Sequence, residues 1–397
     1  MQAAARDLAL HRAVRSVAAR DSVAPALSRI DALTGIRAVA ALWVVGFHFV
    51  RGGLTPLHLE QAFPALNYGY LGVDLFFLLS GFIISYVHQR DAASLSFRLV
   101  LRFYGLRLAR MYPVHLLTLC GLVVVVLVGP RIGFTPTHPE DFRAVDFVYN
   151  LLLVQSWGAS DDIHWNFPAW SISCEWFAYL LFPLLALGLN RIASKRQAAF
   201  WLGAEMAIFA LAYVFFFRCD LDNKFDGGNF SQFALARVCL EFTAGALCYR
   251  LAEFIDMRAW PWTAVVLAAI IGAALLTTTP ARDLAIVGAF ALAILASSVP
   301  GNLVARLLSL PPLVYLGEIS YSLYMVHVPI RMTLGKLVES RLAVASTAGA
   351  WAMGLGFCLV TIATAAATYH LVEAPARRWL RRLAGARLPN ARPVAVR

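Results

Sequence analysis

Ten apolar runs divide this chain, near residues 34–50, 70–88, 104–129, 168–189, 198–217, 230–249, 261–279, 283–299, 313–334 and 344–371. A helix rises 1.5 Å per residue, so about 20 residues cross the roughly 30 Å of bilayer hydrocarbon. Runs of this length leave little choice of fold. In hydrocarbon every backbone N–H and C=O must find a partner inside the protein, which a helix provides for itself and an open strand does not. The chain therefore reads as an all-α integral membrane protein of about ten transmembrane helices. Composition agrees: 14% of its 397 residues are charged, against about 25% in an ordinary soluble domain.

The net charge of +11 would raise nucleic acid as a partner if the basic residues formed a patch. They sit instead in short segments between apolar runs, and no nucleic-acid partner is expected. Segments 1–37, 89–110, 190–197, 250–260, 300–312 and 373–397 hold 24 of the 34 Lys and Arg, and the alternate connections hold eight. By the positive-inside tendency the first set is cytoplasmic, and both termini with it. An even number of spans agrees. The first thirty residues lack the short apolar core and small-residue cleavage site of a signal peptide. Residues 1–33 thus read as a cytoplasmic arm, 34–372 as a ten-helix membrane domain and 373–397 as a basic cytoplasmic tail. The six cysteines lie mostly inside apolar runs without paired spacing, as small core residues do and metal ligands do not. The long connection 130–167 carries FVYNLLLVQSW, too short to cross the bilayer and expected as a re-entrant or surface helix.

Ionisable residues within such runs are costly and usually face a cavity or a partner. Arg37 and His48 stand eleven residues apart in the first run, roughly 16 Å along a helix, with Arg37 at the cytoplasmic end and His48 toward the outer side. The second run opens with GVDLFFLLSGF and enters from outside, which puts Asp74 at a depth comparable to His48. In an antiparallel pair the two are expected as neighbours, and a carboxylate beside an imidazole prepares it as a base. RFYGLRLARMYP gathers Arg102, Arg107 and Arg110 near the cytoplasmic surface, with Arg37 within reach. Arginine forks suit phosphate oxygens; the competing reading makes these residues topology anchors at lipid headgroups. In FPAWSISCEWFAYLLFP, Ser171, Glu175 and Tyr179 recur at i, i+4 and i+8 and share a helix face. In YLGEISYSLYMVHVPI, Ser320, Tyr324 and His327 fall on one face, with Glu318 nearer the cytoplasmic end, and YHLVEAPARRWLRR places Glu373 at a span exit. For these polar residues, hydrogen bonding between packed spans is the competing role.

The opening LTGIRAVAALWVVGFHF, then GVDLFFLLSGF, RLARMYP, WSISCEWFAYLLFP, YSLYMVHVPI and VEAPARR, in this order over almost the whole chain, resemble the successive signatures of the acyltransferase type 3 family of integral-membrane acyltransferases. The resemblance implies a ten-helix domain that moves an acyl group, commonly acetyl from acetyl-CoA, onto hydroxyls of envelope or exported carbohydrates, and in some members onto macrolides. It implies that Arg37 and His48 form the functional pair, that Asp74 and Glu175 are the motif carboxylates, and that Arg107 and Arg110 are the arginines before the third span. A second glutamate common in the fourth-span motif is Trp176 here, so a role resting on it is absent.

The expectation is then a bacterial inner-membrane O-acyltransferase. His48, oriented by Asp74, acts as base or transient acyl carrier, and Glu175 completes the catalytic set. Arg37, Arg102, Arg107 and Arg110 hold the phosphates of acyl-CoA, a donor rather than a resident cofactor, and no metal is foreseen. The expected partners are membrane lipid, a carbohydrate acceptor and glycan-assembly proteins. A multi-span transporter of a glycan precursor or small polar solute is the competing reading, although the repeats and interrupted midplane segments of many transporters are not visible.

Overall fold

The computed structural model describes residues 31–51, 63–133, 136, 138–160, 162–215, 230–255, 260–276, 279–299, 302–341 and 347–383. The expected N-terminal arm and residues 384–397 of the expected tail lie almost wholly outside the described residues. Among the described residues the regular structure is all helical: α1 (Asp31–Arg51), α2 (Gly72–Ala92), α3 (Phe97–Val128), α4 (Ala144–Leu152), α5 (Ala169–Asn190), α6 (Lys195–Phe215), α7 (Phe230–Ala252), α8 (Trp262–Ala274), α9 (Thr279–Ser297), α10 (Leu303–Leu308), α11 (Pro311–Glu318), α12 (Ser320–Arg341), α13 (Thr347–Thr368) and α14 (Ala374–Leu383). Among the described residues, five helical stretches, Asp31–Val50, Pro64–Gln89, Phe97–Arg131, Ala169–Asn190 and Trp351–Leu383, are long and apolar enough to cross a membrane.

Each apolar run contains a helix, with three departures in extent. The third begins seven residues early, at Phe97, and reaches 32 residues, roughly 48 Å. It outruns the hydrocarbon, and its arginine-bearing first turns become part of the helix. The seventh run yields the 13-residue α8, shorter than a full crossing. The ninth is broken at Ile319 into α11 and α12, with Glu318 the last residue of α11. FVYNLLLVQSW forms the nine-residue α4 followed by an irregular turn at Gln155–Ala159.

Large apolar side chains point outward along several helices, among them Leu127 on α3, Leu184 on α5, Leu211 on α6, Ile271 on α8 and Leu359 on α13, each more than half exposed. In water such a surface would drive aggregation; against lipid tails it is solvated. The interior is closed by intimate helix contact. A Cβ placed on Gly81 of α2 would strike the Phe242 carbonyl of α7, and one on Gly245 of α7 would strike the Leu78 carbonyl of α2. This reciprocal pair lets the two backbones touch, which small residues permit where no hydrophobic drive exists between helices in lipid. α1 lies between this pair and α11–α12, burying Ile36, Ala40 and Val44 on successive turns.

Candidate active site

Near the Arg37 end of α1, a cavity of about 490 Å³ is lined by residues of α1, α2, α3, α5, α12 and α14. Six arginines line it: Arg37, Arg102, Arg107, Arg110, Arg377 and Arg381. Helical spacing accounts for their convergence, since Arg107 and Arg110 are three apart on α3 and Arg377 and Arg381 four apart on α14. Ser171, Glu175, Tyr179 and Tyr324 line the same space, so the expected polar stripe of α5 faces the expected arginine cluster. Beside the aromatic walls Phe76 and Tyr321, these groups make a site with an apolar body and convergent charge.

The arginines are held by partners. The Arg37 guanidinium lies 6.0 Å from the Phe76 ring centroid and donates from Nε to Ser320 Oγ at 3.2 Å, while Ser320 donates to the Gly317 carbonyl at 2.8 Å. Arg107 contacts His88 Nε2 at 3.2 Å and lies over the Phe103 and Tyr179 rings. Arg110 is ion-paired with the buried Glu373, whose Oε2 accepts from Ser322 at 2.7 Å. Glu175 Oε1 accepts from Ser80 Oγ at 2.8 Å and from Tyr179 Oη at 2.5 Å. Six guanidiniums thus meet two carboxylates, and positive charge is left over for an anionic ligand. Glu373 and Ser320, expected as site candidates, meet the cavity through their contacts with Arg110 and Arg37.

Beyond Tyr324 lies the second pole. Tyr324 Oη and Ser171 Oγ are 2.8 Å apart, and each hydroxyl also reaches the Pro168 carbonyl. Three residues further along α12, His327 is fully buried. Its Nδ1 lies 2.6 Å from the Tyr324 carbonyl and its Nε2 lies 3.0 Å from His48 Nδ1. Phe47 and Phe167 set their rings edge-on to His48 at 5.3 and 5.6 Å between centroids. Arg331, one turn past His327, donates to the His48 carbonyl at 2.9 Å. Arg37 and His48 share one face of α1, because eleven residues make about three turns. One points to the cavity, and the other stands beyond its Tyr324 wall.

The expected pairing of Asp74 with His48 is corrected. Both oxygens of Asp74 accept from Arg237 of α7, which also donates to Glu241 Oε1 at 3.2 Å. A guanidinium presents five donors in a planar fork that fits a carboxylate, and Arg237 is the partner of the carboxylate expected to orient the histidine. The imidazole facing His48 Nδ1 is His327. Close by, Asp283 accepts from Tyr70 at 2.9 Å and from Tyr213, extending a buried polar network through α2, α6, α7 and α9. Glu318, at the α11–α12 break, is not among the cavity-lining residues.

Sequence reasoning passed over Arg237, Glu241 and Arg331, although each is an ionisable residue inside an apolar run, the strongest available signal. It placed Arg377 and Arg381 in a basic cytoplasmic tail without giving them a role at the site, and α14 packs back along α3 and delivers both to the cavity. Their i, i+4 spacing was the readable sign.

A helical body with an apolar exterior, enclosing an arginine-lined cavity beside a buried histidine pair, has the makings of a membrane enzyme. The sequence profile described as an acyltransferase domain matches residues 30–370; the chain belongs to this family, the acyltransferase type 3 family, and is an acyl-transferring enzyme. It is 30% identical over 387 residues to the acyltransferase MdmB of Streptomyces mycarofaciens, a match covering 90% of this chain and 94% of that protein. It is 25% identical over 326 residues to the O-acetyltransferase OatA of Staphylococcus aureus, covering 76% of this chain and 50% of that protein, so it is matched over only half of OatA's length. No solved structure matches.

Proposed function

We propose that this enzyme transfers acetyl from acetyl-CoA to a hydroxyl of an envelope or exported carbohydrate, within the inner membrane of a bacterium and with ten spans and both termini cytoplasmic. The observation that carries this reading is the cavity in which six arginines converge beside an apolar wall. Acyl-CoA is a polyanion with a long uncharged arm, and this cavity offers forks for the phosphates and aromatic contacts for the arm. The stripe from Glu175 through Ser171 and Tyr324 leads toward His48. There the histidine serves as general base or transient acyl carrier for the acceptor hydroxyl. Likeness to a protein named as an O-acetyltransferase supports oxygen as the acceptor atom.

Membranes containing the protein are supplied with acetyl-CoA radiolabelled in the acetyl group, alongside His48→Ala at matched expression. Label in extractable glycan with the wild type and not with the variant is the expected result. Equal label in both would refute the role of His48, and label in neither would refute the donor or the acceptor class.

A further inference from the structure

We propose, resting on the acyl-transfer reading, that His327 is the positioning residue that fixes the tautomer of His48 and leaves His48 Nε2 as the nitrogen that takes the acceptor's proton.

Pro329 opens the α12 backbone beside His327. Lacking an N–H, it cannot bond the Met325 carbonyl four residues back, and Asn166 Nδ2 donates to that carbonyl at 3.1 Å. In this altered turn the neighbouring Tyr324 carbonyl lies 2.6 Å from His327 Nδ1. A carbonyl only accepts, so Nδ1 of His327 carries a proton. A neutral imidazole protonated at Nδ1 bears its lone pair at Nε2. That atom is 3.0 Å from His48 Nδ1, so His48 donates from Nδ1, and by the same rule its own lone pair is on Nε2. One backbone carbonyl thereby sets the proton position on two rings in succession.

The reverse polarity would require a doubly protonated His327, a second cation one turn from Arg331 in a side chain that is 0% exposed. Burying such a charge without a counter-ion is costly. Arg331 meanwhile donates to the His48 carbonyl at 2.9 Å. Residues 327 and 331, four apart on one face of α12, therefore hold His48 by ring and by backbone.

In the reaction, the acceptor O–H bond breaks and its proton forms a bond to His48 Nε2. The acceptor oxygen bonds the thioester carbonyl carbon, the C–S bond breaks, and the thiolate leaves with the bonding pair. The thiolate then takes the proton from Nε2, returning His48 to its starting tautomer. His327 keeps its protons throughout.

The test combines two readouts on the full chain. Nitrogen NMR of histidine-labelled wild type, with the His48 signals assigned by their absence in His48→Ala, reads the tautomer directly. Nδ1–H with an unprotonated Nε2 is expected, and Nε2–H would overturn the proposal whatever the variants do. Initial rates with radiolabelled acetyl-CoA are then compared for His327→Leu, which removes both nitrogens, and His327→Gln, which keeps an acceptor within reach of His48. Leu should lower the limiting rate roughly a hundredfold at unchanged apparent KM for acetyl-CoA, and Gln should stay within about tenfold of wild type. A fully active Leu variant, or Leu and Gln equally impaired with the His48 tautomer unchanged, would overturn the assignment. No transfer by the wild type would refute the acyl-transfer reading itself, and the NMR result would still decide the tautomer.

Discussion

Arg237 grips both carboxylate oxygens of Asp74, joining the middle of the first half of α7 to the first turn of α2. The aspartate side chain is 1% exposed and the arginine 11%. This is an internal clamp, and it separates Asp74 from the duty at His48 that its depth in the membrane suggested.

Breaking such a clamp from one side strands a buried charge. Arg237→Ala should destabilise the fold by about 3–5 kcal/mol, read as a lower unfolding temperature of the detergent-solubilised protein. The double variant Asp74→Asn with Arg237→Gln should recover part of the loss, since the Asp74 charge leaves with the guanidinium and only Glu241 loses its partner. A single variant as stable as wild type would dismiss the clamp.

The cavity arginines should separate donor affinity from chemistry. Losing one charge-assisted contact costs about 2 kcal/mol, so Arg107→Ala and Arg377→Ala are each expected to raise the apparent KM for acetyl-CoA roughly thirtyfold with a smaller effect on the limiting rate. Rate loss at unchanged KM would remove these residues from donor binding.

Glu175 is held by Ser80 and Tyr179 and lines the space between the arginines and Tyr324. Glu175→Gln keeps the shape and deletes the charge. A fall in limiting rate of roughly a hundredfold is expected, in the range of lost acid–base assistance, with Ser80→Ala milder because Tyr179 still holds the carboxylate. Wild-type rates in Glu175→Gln would show the charge to be dispensable.

Sidedness is open to direct chemical labelling. In a cysteine-free background, a cysteine at the exposed position of Glu140 should react with an impermeant maleimide on intact cells, and one at the exposed position of Arg382 only after permeabilisation. The opposite pattern would invert the topology.

The helices were legible because hydrocarbon length and backbone satisfaction leave so few alternatives. The arginine cluster was legible because Arg102, Arg107 and Arg110 crowd one end of one run, and the α5 stripe because residues four apart on one helix share a face. Pairing between helices was not. The order of residues predicts only a similar depth for Asp74 and His48; depth does not fix azimuth, and the rotation of α2 about its axis delivers Asp74 to Arg237 of α7. Sorting the basic residues by connection left two unaccounted for, Arg237 and Arg331, both inside apolar runs. Those two hold Asp74 and the backbone of His48. The inward arginines of the tail were out of reach for a related reason: four arginines in ten residues read only as a basic run, and it is the path of α14 along α3 that turns two of them to the cavity.

The cavity, on the proposed reading, grips the part of the donor that acyl transfer leaves unchanged. Phosphates bind equally before and after the thioester is spent, a uniform hold that does nothing to hasten chemistry. The free carrier then competes with the loaded one on nearly equal terms. Flux through such an enzyme follows the ratio of charged to discharged carrier rather than the amount of either, and envelope modification becomes a readout of the cell's acyl supply.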